Sequence, residues 1–376
     1  MKEMGFWDYT APQHGSLECY REQDWDLLLE DLAAHGINSF VLSIKWMTTG
    51  YRSRFSWLDQ NMECTAIQSD NQLIHYALRE MRKRGMKVWL LLVVTQFPAH
   101  SFGLNPTWIP QWTEQVFGYG IGFYDVDHPG LQERVNQMLR EVAELFGEET
   151  DGIILELEWG DREEPHRIPL YNQWASQNNR PDFDTIRHYP LQSRSYPFYD
   201  WRDFATQRRI YFLQSAKEAL RAAGFTGELA TINEIENGPG AVISASNLTM
   251  LRQQLPDFAL VTYDGIYNRN MHRRATQDLC MDAPIKEGHK VYFLSRGVMP
   301  WADEPGRFGP LSHQWEMTLE DCRQSRPEGL WMMGTDCRVP GMVCSLSGLQ
   351  SFGYRDGRQA RLELLKKMRD SGLLLD

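Results

Sequence analysis

The stretch Met86–Val94, MKVWLLLVV, is almost continuously apolar. A strand with one exposed face alternates apolar and polar residues, whereas a strand of a parallel sheet covered on both faces has a near-continuous apolar run. A helical pattern over Asn71–Arg84, closed by Gly85, comes just before it. The stretch therefore predicts a buried parallel sheet with helices on its outside.

Seven more strand patterns occur along the chain, and a helical or loop-helix segment separates each from the next. The eight strand patterns are 4–9, 37–46, 86–94, 151–161, 227–238, 258–265, 289–297 and 329–336. Right-handed strand–helix–strand crossovers repeated eight times return to the first strand. Because no linker interrupts the alternation, we predict one α/β domain over residues 1–376, a (β/α)8 TIM barrel with long βα loops.

Two connections stand out. Asp127 is predicted to cap the helix that has Pro129 in its first turn and runs to about Phe146. A polar insertion of about 40 residues follows the fourth strand and leads into a long helix from about Trp201 to Ala223. Segments of that length without secondary structure are usually functional or disordered. Its Arg and His residues suit either a solvated lid or a clamp for an anionic sugar substituent.

Composition narrows the class of protein. The 376 residues are 42% hydrophobic and 24% charged, with a net charge of −11 and no Lys/Arg run, so nucleic-acid binding is not expected. No apolar run approaches the ~18 to 20 residues that span a bilayer, so we expect no membrane association. The residues before GFWDY do not form a basic-plus-apolar leader, so we expect a cytoplasmic location, with secretion left open if a leader was removed. The cysteines form no CxxC pair and are expected to be reduced thiols.

The stretch Asp151–Asp161, DGIILELEWGD, carries the clearest chemical signal. Strand alternation places Glu156 and Glu158 on the same face as Ile154. Burying two carboxylates side by side is costly, and their repulsion raises the pKa of at least one of them. Catalysis is one reason to keep such a pair. A structural alternative is a solvated strand end beside a buried ion-pair partner.

In (β/α)8 barrels the active site lies at the carboxyl ends of the strands. Polar residues are expected there after every strand. The candidates are Asp8, His14, Lys45, Trp46, Gln96, His100, Glu156, Glu158, Asp161, Glu234, Glu236, Asn237, Tyr263, Asp264, Arg296, Trp301, Asp303, Glu304 and Asp336. Carboxylates and aromatic residues dominate the set.

Paired carboxylates suit glycoside hydrolysis, in which one group protonates the departing oxygen and another stabilises or attacks the anomeric carbon. We predict an exo-acting, retaining glycoside hydrolase with Glu158 as proton donor, its pKa raised by Glu156, and Glu236 or Asp264 as the second group. Aromatic rings stack on sugar faces. The predicted substrate-binding residues are Asp8, Trp46, Trp159, Tyr263, Arg296, Trp301 and Asp336.

Other chemistries lack their motifs. There is no HxH or HExxH for a metal, no GxSxG elbow, and no GxGxxG or Walker loop in the right context, so no metal and no cofactor are expected. Two alternatives stay open: a carbohydrate-binding barrel that has lost catalysis, and a lyase or isomerase of sugar acids. The latter would need a metal or a base such as Lys45.

The motif D-G-x-x-x-E-x-E-W, formed by Asp151, Gly152, Glu156 and Glu158, resembles the fourth-strand signature of the chitinase family of glycoside hydrolases. Thr262-Tyr263-Asp264 resembles the M-x-Y-D of its sixth strand. The resemblance implies that Glu158 is the acid/base, Glu156 the assisting group, and Tyr263 and Asp264 substrate clamps.

The layout also resembles the retaining clan that includes β-galactosidases and β-glucosidases, whose acid/base ends strand four and whose nucleophile ends strand seven. Glu158 matches the first position. Strand seven here ends in Ser295 and Arg296. Barrels similar to α-fucosidases, with a nucleophile on strand four, are a third resemblance.

Overall fold

A computed structural model describes residues 1–10, 17, 20–46, 48–60, 62, 64–98, 121–123, 126–157, 167–187, 196–233, 246–263, 277–296, 312–336 and 357–374. Eight strands form its centre. They are β1 (Glu3–Thr10), β2 (Ser39–Lys45), β3 (Lys87–Val93), β4 (Gly152–Glu156), β5 (Glu228–Ile232), β6 (Phe258–Tyr263), β7 (Val291–Arg296) and β8 (Gly329–Asp336). Each strand pairs in parallel with its neighbours in chain order, and β8 pairs with β1. The predicted (β/α)8 barrel is confirmed.

A helix follows each strand. The helices are α1 (Glu22–Ala34), α2 (Gln72–Lys83), α3 (Pro129–Phe146), α4 (Tyr196–Ala222), α5 (Leu248–Gln254), α6 (Ala283–Lys286), α7 (Ser312–Ser325) and α8 (Gly357–Asp370). Shorter helical segments are Thr65–Gln68, Gly147–Glu149, Ile168–Gln177, Phe183–Ile186 and the π-helical turn Asp278–Asp282. Over the described part of the chain, no helix combines the length and apolar character needed to cross a membrane.

The cap of α3 differs from the prediction. His128, not Asp127, is the N-cap residue, and its Nδ1 atom accepts a hydrogen bond from the Gly130 amide at 3.1 Å. Pro129 occupies the first turn, where its missing N–H costs nothing. Asp127 lies one residue before the N-cap position, and its carboxylate forms ion pairs with Arg167 and Arg208.

Alternation along the strands separates two apolar layers. One set of side chains fills the barrel interior, and the other packs between the barrel and the helices. The interior set is Trp7, Val41, Trp89, Leu91, Ile154, Ala230, Ile232, Ala259, Val261, Tyr292, Leu294 and Trp331. The barrel is therefore a packed core, and a substrate can reach it only at an end.

Large aromatic rings fill the amino-terminal end of the barrel. Trp331 stacks on Tyr292, with ring centroids 4.4 Å apart and planes inclined by 7°, and it meets Trp89 edge-on at 5.6 Å. Glycines on the adjoining strands leave room for these rings. A Cβ atom on Gly152 would lie 2.2 Å from the Trp89 ring, and one on Gly5 would lie 2.2 Å from the Trp331 ring.

A partly buried ion network lies at the same end. The Lys87 ammonium lies 2.7 Å from the Glu3 carboxylate and 2.5 Å from that of Glu228. Tyr292 donates its hydroxyl to Glu3 at 2.9 Å. Burial, followed by the nearby charge of Glu3, raises the pKa of the Tyr292 hydroxyl, so it remains a donor at any physiological pH. Because the rings pack against one another and the charged groups are paired, we assign this end of the barrel a role in stability.

Replacing Gly152 with Ala is expected to lower the free energy of unfolding by about 1–3 kcal/mol, because the added methyl group would overlap the Trp89 ring. Urea denaturation followed by circular dichroism measures the loss. The matched control is Gly147→Ala, since Gly147 has helical backbone angles and its added Cβ would lie an ordinary 3.5 Å from Phe225. Equal stabilities of the two variants would contradict this account of the packing.

Candidate active site

Glu156 ends β4 at the carboxyl end of the barrel. It pairs with Val93 of β3 in an unbroken register, in which Leu91 pairs with Ile154 of the barrel interior. Leu155 and Leu157 belong to the outer apolar layer. Glu156 therefore lies in the inward phase, as the alternation predicts, and it is only 5% exposed. Glu158, two residues further on, is outside the described residues.

Lys45 ends β2 beside this position and is fully buried. Its Nζ atom donates to the backbone carbonyl of Val93 at 2.6 Å and also to the carbonyls of Trp46 and Gln96. Burial lowers the pKa of Lys45 well below its ordinary value, while the negative charge of Glu156 acts in the opposite direction. The described part of this end thus contains a buried lysine and a buried carboxylate whose charge acts on it.

A short antiparallel ribbon stands on the end of β3. Its strands are Gln96–Pro98 and Ile121–Phe123, paired so that Phe97 is opposite Gly122. The Phe97 side chain is fully buried, and the Lys45 ammonium lies 3.6 Å from its ring centroid. The third βα loop therefore starts and returns as a fixed ribbon, which the sequence analysis did not predict.

The end of β5 is braced from two sides. Arg209, a buried residue of α4, donates to the carbonyl of Ile232 and, at 3.3 Å, to the hydroxyl of Thr231. Asn233 accepts a hydrogen bond from the Ser246 amide at 3.4 Å. β5 ends at Ile232, earlier than the predicted strand over residues 227–238. Asn233 and Ser246, the two residues that this hydrogen bond joins, flank residues 234–245. Glu234 and Glu236 lie in that segment, outside the described residues.

The insertion after β4 is not a structureless loop over its described part. The helices Ile168–Gln177 and Phe183–Ile186 pack on the first turns of α4. Their contacts form a separate aromatic core in which Tyr171 and Trp201 lie 5.3 Å apart. The buried members of this core are Tyr171, Ala175, Phe183, Ile186, Trp201 and Phe204. The expectation of a solvated lid is therefore wrong for residues 167–187, because these rings are buried against one another.

An ion triad, in which the Asp127 and Arg167 side chains are buried, attaches this insertion to the start of α3 and to α4. The Asp127 carboxylate lies 3.3 Å from the guanidinium of Arg167, and both side chains are 3% exposed. Its other oxygen accepts a bond from Arg208 of α4. Asp127 precedes α3, Arg167 opens the first insertion helix, and Arg208 lies on α4. The chain between Glu156 and Arg167, which carries Glu158, is consequently held at both ends.

The remaining predicted site residues fall into three groups. Asp8 of β1 is buried, and strand alternation places it on the same face as Phe6, which packs in the outer apolar layer. The backbone carbonyl of Trp46 accepts a hydrogen bond from Lys45. Tyr263, Arg296 and Asp336 end β6, β7 and β8 at the same end as Glu156. The predicted catalytic and substrate-binding residues outside the described chain are Glu158, Trp159, Glu236, Asp264 and Trp301, and the other candidates outside it are His14, His100, Asp161, Glu234, Asn237, Asp303 and Glu304. Substrate contact by any of these residues stays a prediction.

Sequence reasoning missed Arg209 and Asn233. Arg209 lies on a helix between Arg208 and Ile210, and its letter alone does not distinguish it from the partly exposed Arg208. The strand pattern over residues 227–238 predicts Asn233 as part of a longer strand. Only the pairing of β5 with β6, which ends at Ile232 and Val261, shows that Asn233 leaves the strand.

The geometry of the described site defines the class of fold to which the protein belongs. It is a closed parallel (β/α)8 barrel that has an inward carboxylate at the end of the fourth strand and a charged, ribbon-bearing mouth. No protein-family model matches the chain, and no curated protein matches it.

Solved structures do match, and glycoside hydrolase barrels are among them. A β-galactosidase from the psychrophilic Marinomonas ef1 has a TM-score of 0.63 at 12% identity, covering 98% of this chain and 59% of its own. A β-galactosidase from Bacillus circulans sp. alkalophilus has a TM-score of 0.62 at 11% identity, with 98% and 56% covered. An α-L-fucosidase from Paenibacillus thiaminolyticus has a TM-score of 0.59 at 13% identity, with 98% and 49% covered. The chain thus shares their fold and spans about half to three fifths of their length.

These comparisons do not confirm the chitinase-specific motif, and the structure gives part of it a packing role. Asp151 accepts a hydrogen bond from the Val88 amide at 2.8 Å, and its carbonyl accepts from the Glu228 amide at 2.8 Å. Gly152 makes room for Trp89. Both residues lie at the amino end of β4, opposite the mouth, so packing alone explains the Asp-Gly pair.

Proposed function

We propose that this chain is a glycoside hydrolase that acts at chain ends with retention of configuration, with Glu158 as the proton donor. The observation that carries the proposal is Glu156, a buried carboxylate in the inward phase at the carboxyl end of β4. Barrel enzymes place their reacting groups at this end of the strands. Glu158 follows it by two residues.

We assign the catalytic roles of these carboxyl groups from the charges around them. A Glu156 that stays ionised beside the Lys45 ammonium would hold the pKa of Glu158 up by repulsion, so that Glu158 carries a proton to the departing glycosidic oxygen near neutral pH. Glu236 or Asp264 would attack the anomeric carbon. Water then hydrolyses the glycosyl-enzyme, with Glu158 acting as base.

The segments that bear these groups start from braced positions. Residues 234–245, which include Glu236, begin at Asn233 and end at the Ser246 amide that donates to it. The chain that includes Glu158 and Trp159 runs from Glu156 to the buried Arg167. Tyr263, Arg296, Asp336, Trp46, Asp8 and Trp301 remain the proposed sugar contacts.

The fold neighbours support the class of substrate. Their names are those of β-galactosidases and an α-L-fucosidase, so a glycoside is the substrate class to test first. The lyase or isomerase alternative finds less support. That chemistry needs a metal or a base, and the ammonium of the candidate base, Lys45, is fully buried and enclosed by three carbonyl oxygens and the Phe97 ring.

The test is turnover of a panel of aryl glycosides that includes β-galactosides and α-fucosides, with the first-released anomer read by proton NMR. Release of the sugar in the configuration of the substrate is expected, because a covalent intermediate inverts the centre twice. Release of the opposite anomer would overturn the retaining assignment. Sugar binding without turnover of any glycoside would instead support a catalytically inactive carbohydrate-binding barrel.

A further inference from the structure

Lys45 has an unusual environment for a lysine at a strand end. Its side chain is fully buried, and a β-bulge between Ser43 and Lys45 shifts the register with β3 just before it. Bulges near active sites commonly redirect a side chain. Here the redirected ammonium meets the carbonyls of Trp46, Val93 and Gln96.

These acceptors define the charge state of Lys45. An ammonium group has three N–H donors and no lone pair, whereas a neutral amine would turn a lone pair toward at least one carbonyl oxygen. Three carbonyls and the face of the Phe97 ring suit the ammonium alone. A buried cation is costly without a counter-charge, and Glu156 is the titratable side chain whose negative charge acts on it.

We propose that Lys45 is a positioning residue of the active site, whose buried ammonium joins the ends of β2 and β3 to the base of the ribbon and supplies the positive charge facing Glu156. The carbonyl of Trp46 belongs to the loop after β2, and the carbonyl of Gln96 belongs to the first ribbon strand. One side chain therefore fixes two βα loops and the electrostatics of the fourth strand. Lys45 itself touches no substrate.

Amide hydrogen exchange tests the structural part without any substrate. Lys45→Met keeps the length and apolar stem of the side chain but removes the charge and all three donors. Exchange is expected to become at least about tenfold faster at the amides of the ribbon strands, residues 96, 97 and 121–123, because opening of this part is then less costly. Unchanged exchange there would overturn the proposal.

The matched control is Lys87→Met, which removes the cation paired with Glu3 and Glu228 at the opposite end of the barrel. It is expected to lower the melting temperature while leaving exchange at the ribbon unchanged. Faster ribbon exchange in both variants would mean general loosening and would contradict a specific anchor. If Lys45→Met fails to fold, Lys45→Arg, which keeps the charge, must fold and keep ribbon protection, or the proposal fails.

A second readout rests on the proposed function. The described charged side chains on the strand ends include Asp8, Lys45 and Glu156, and Arg209 of α4 is bonded to Thr231 and Ile232. The Asp127–Arg167–Arg208 triad lies in the connection after β4. Losing the Lys45 charge makes an ionised carboxylate at this end less favourable, so the acid limb of kcat/KM for an aryl glycoside is expected to move to higher pH in Lys45→Met and to stay in place in Lys87→Met. An unmoved limb would contradict the electrostatic role.

The two readouts separate the hypotheses. If no glycoside is turned over by the wild-type chain, the proposed function fails while hydrogen exchange still decides whether Lys45 anchors the ribbon. If turnover is found and ribbon exchange is unchanged in Lys45→Met, the inference about Lys45 fails while the proposed function stands.

Discussion

Glu158→Gln is expected to lower kcat/KM about 10²- to 10⁴-fold on aryl glycosides with poor leaving groups, the usual contribution of a general acid. The loss should be far smaller for an activated leaving group such as dinitrophenolate, which departs without protonation. Measuring kcat/KM across leaving groups of different pKa gives the result as a slope. A steeper dependence on leaving-group pKa in the variant identifies the missing proton donor.

The control for this experiment is Glu148→Gln, which makes the same chemical change at an exposed position just before β4. It should leave both the rate and the slope unchanged. A uniform loss in Glu158→Gln, equal for good and poor leaving groups, would indicate damage to folding or binding and would remove Glu158 from the role of acid. Full activity in the variant would do the same.

Trp331→Ala is expected to lower the free energy of unfolding by about 3–5 kcal/mol, the usual cost of deleting a buried Trp. The ring fills the amino-terminal end of the barrel, stacks on Tyr292 and donates its Nε1–H to Ser39 at 3.3 Å. Its loss leaves a cavity between strands. Urea denaturation with circular dichroism and fluorescence as separate probes measures the change.

Trp57→Ala is the comparison, since Trp57 is a partly exposed residue of the loop after β2 that stacks on Phe55 at 5.5 Å. It should cost well under half as much, because less of the ring leaves water on folding. Similar losses in the two variants would show that the rings at the barrel end do not carry the stability assigned to them.

The barrel fold and the active site at its mouth place different requirements on the amino-acid sequence. Solved glycoside hydrolases share this fold at 11 to 13% identity. A barrel strand requires only an apolar run of the right length and alternation, which many sequences satisfy. An active site requires particular groups at particular distances, so similarity of fold leaves the chemistry to be tested.

Local patterns were sufficient for the eight strands, their order and the inward phase of Glu156. These features repeat every two residues along a strand or every three to four along a helix, so neighbouring letters reveal them. The apolar run at Met86–Val94 and the alternation through Ile154 and Glu156 are examples, and the barrel follows from repeating them eight times.

The aromatic core of the insertion and the environment of Lys45 needed the tertiary structure. Tyr171 and Trp201 are 30 positions apart among polar residues, so no local period shows that they stack. Lys45 is bound by backbone carbonyls, which every residue possesses and no sequence letter identifies. Asp127 could be placed next to a helix start, but its partners Arg167 and Arg208 lie 40 and 81 residues away. Contacts between distant segments depend on how loops return to the barrel, and that is decided only when the whole chain has folded.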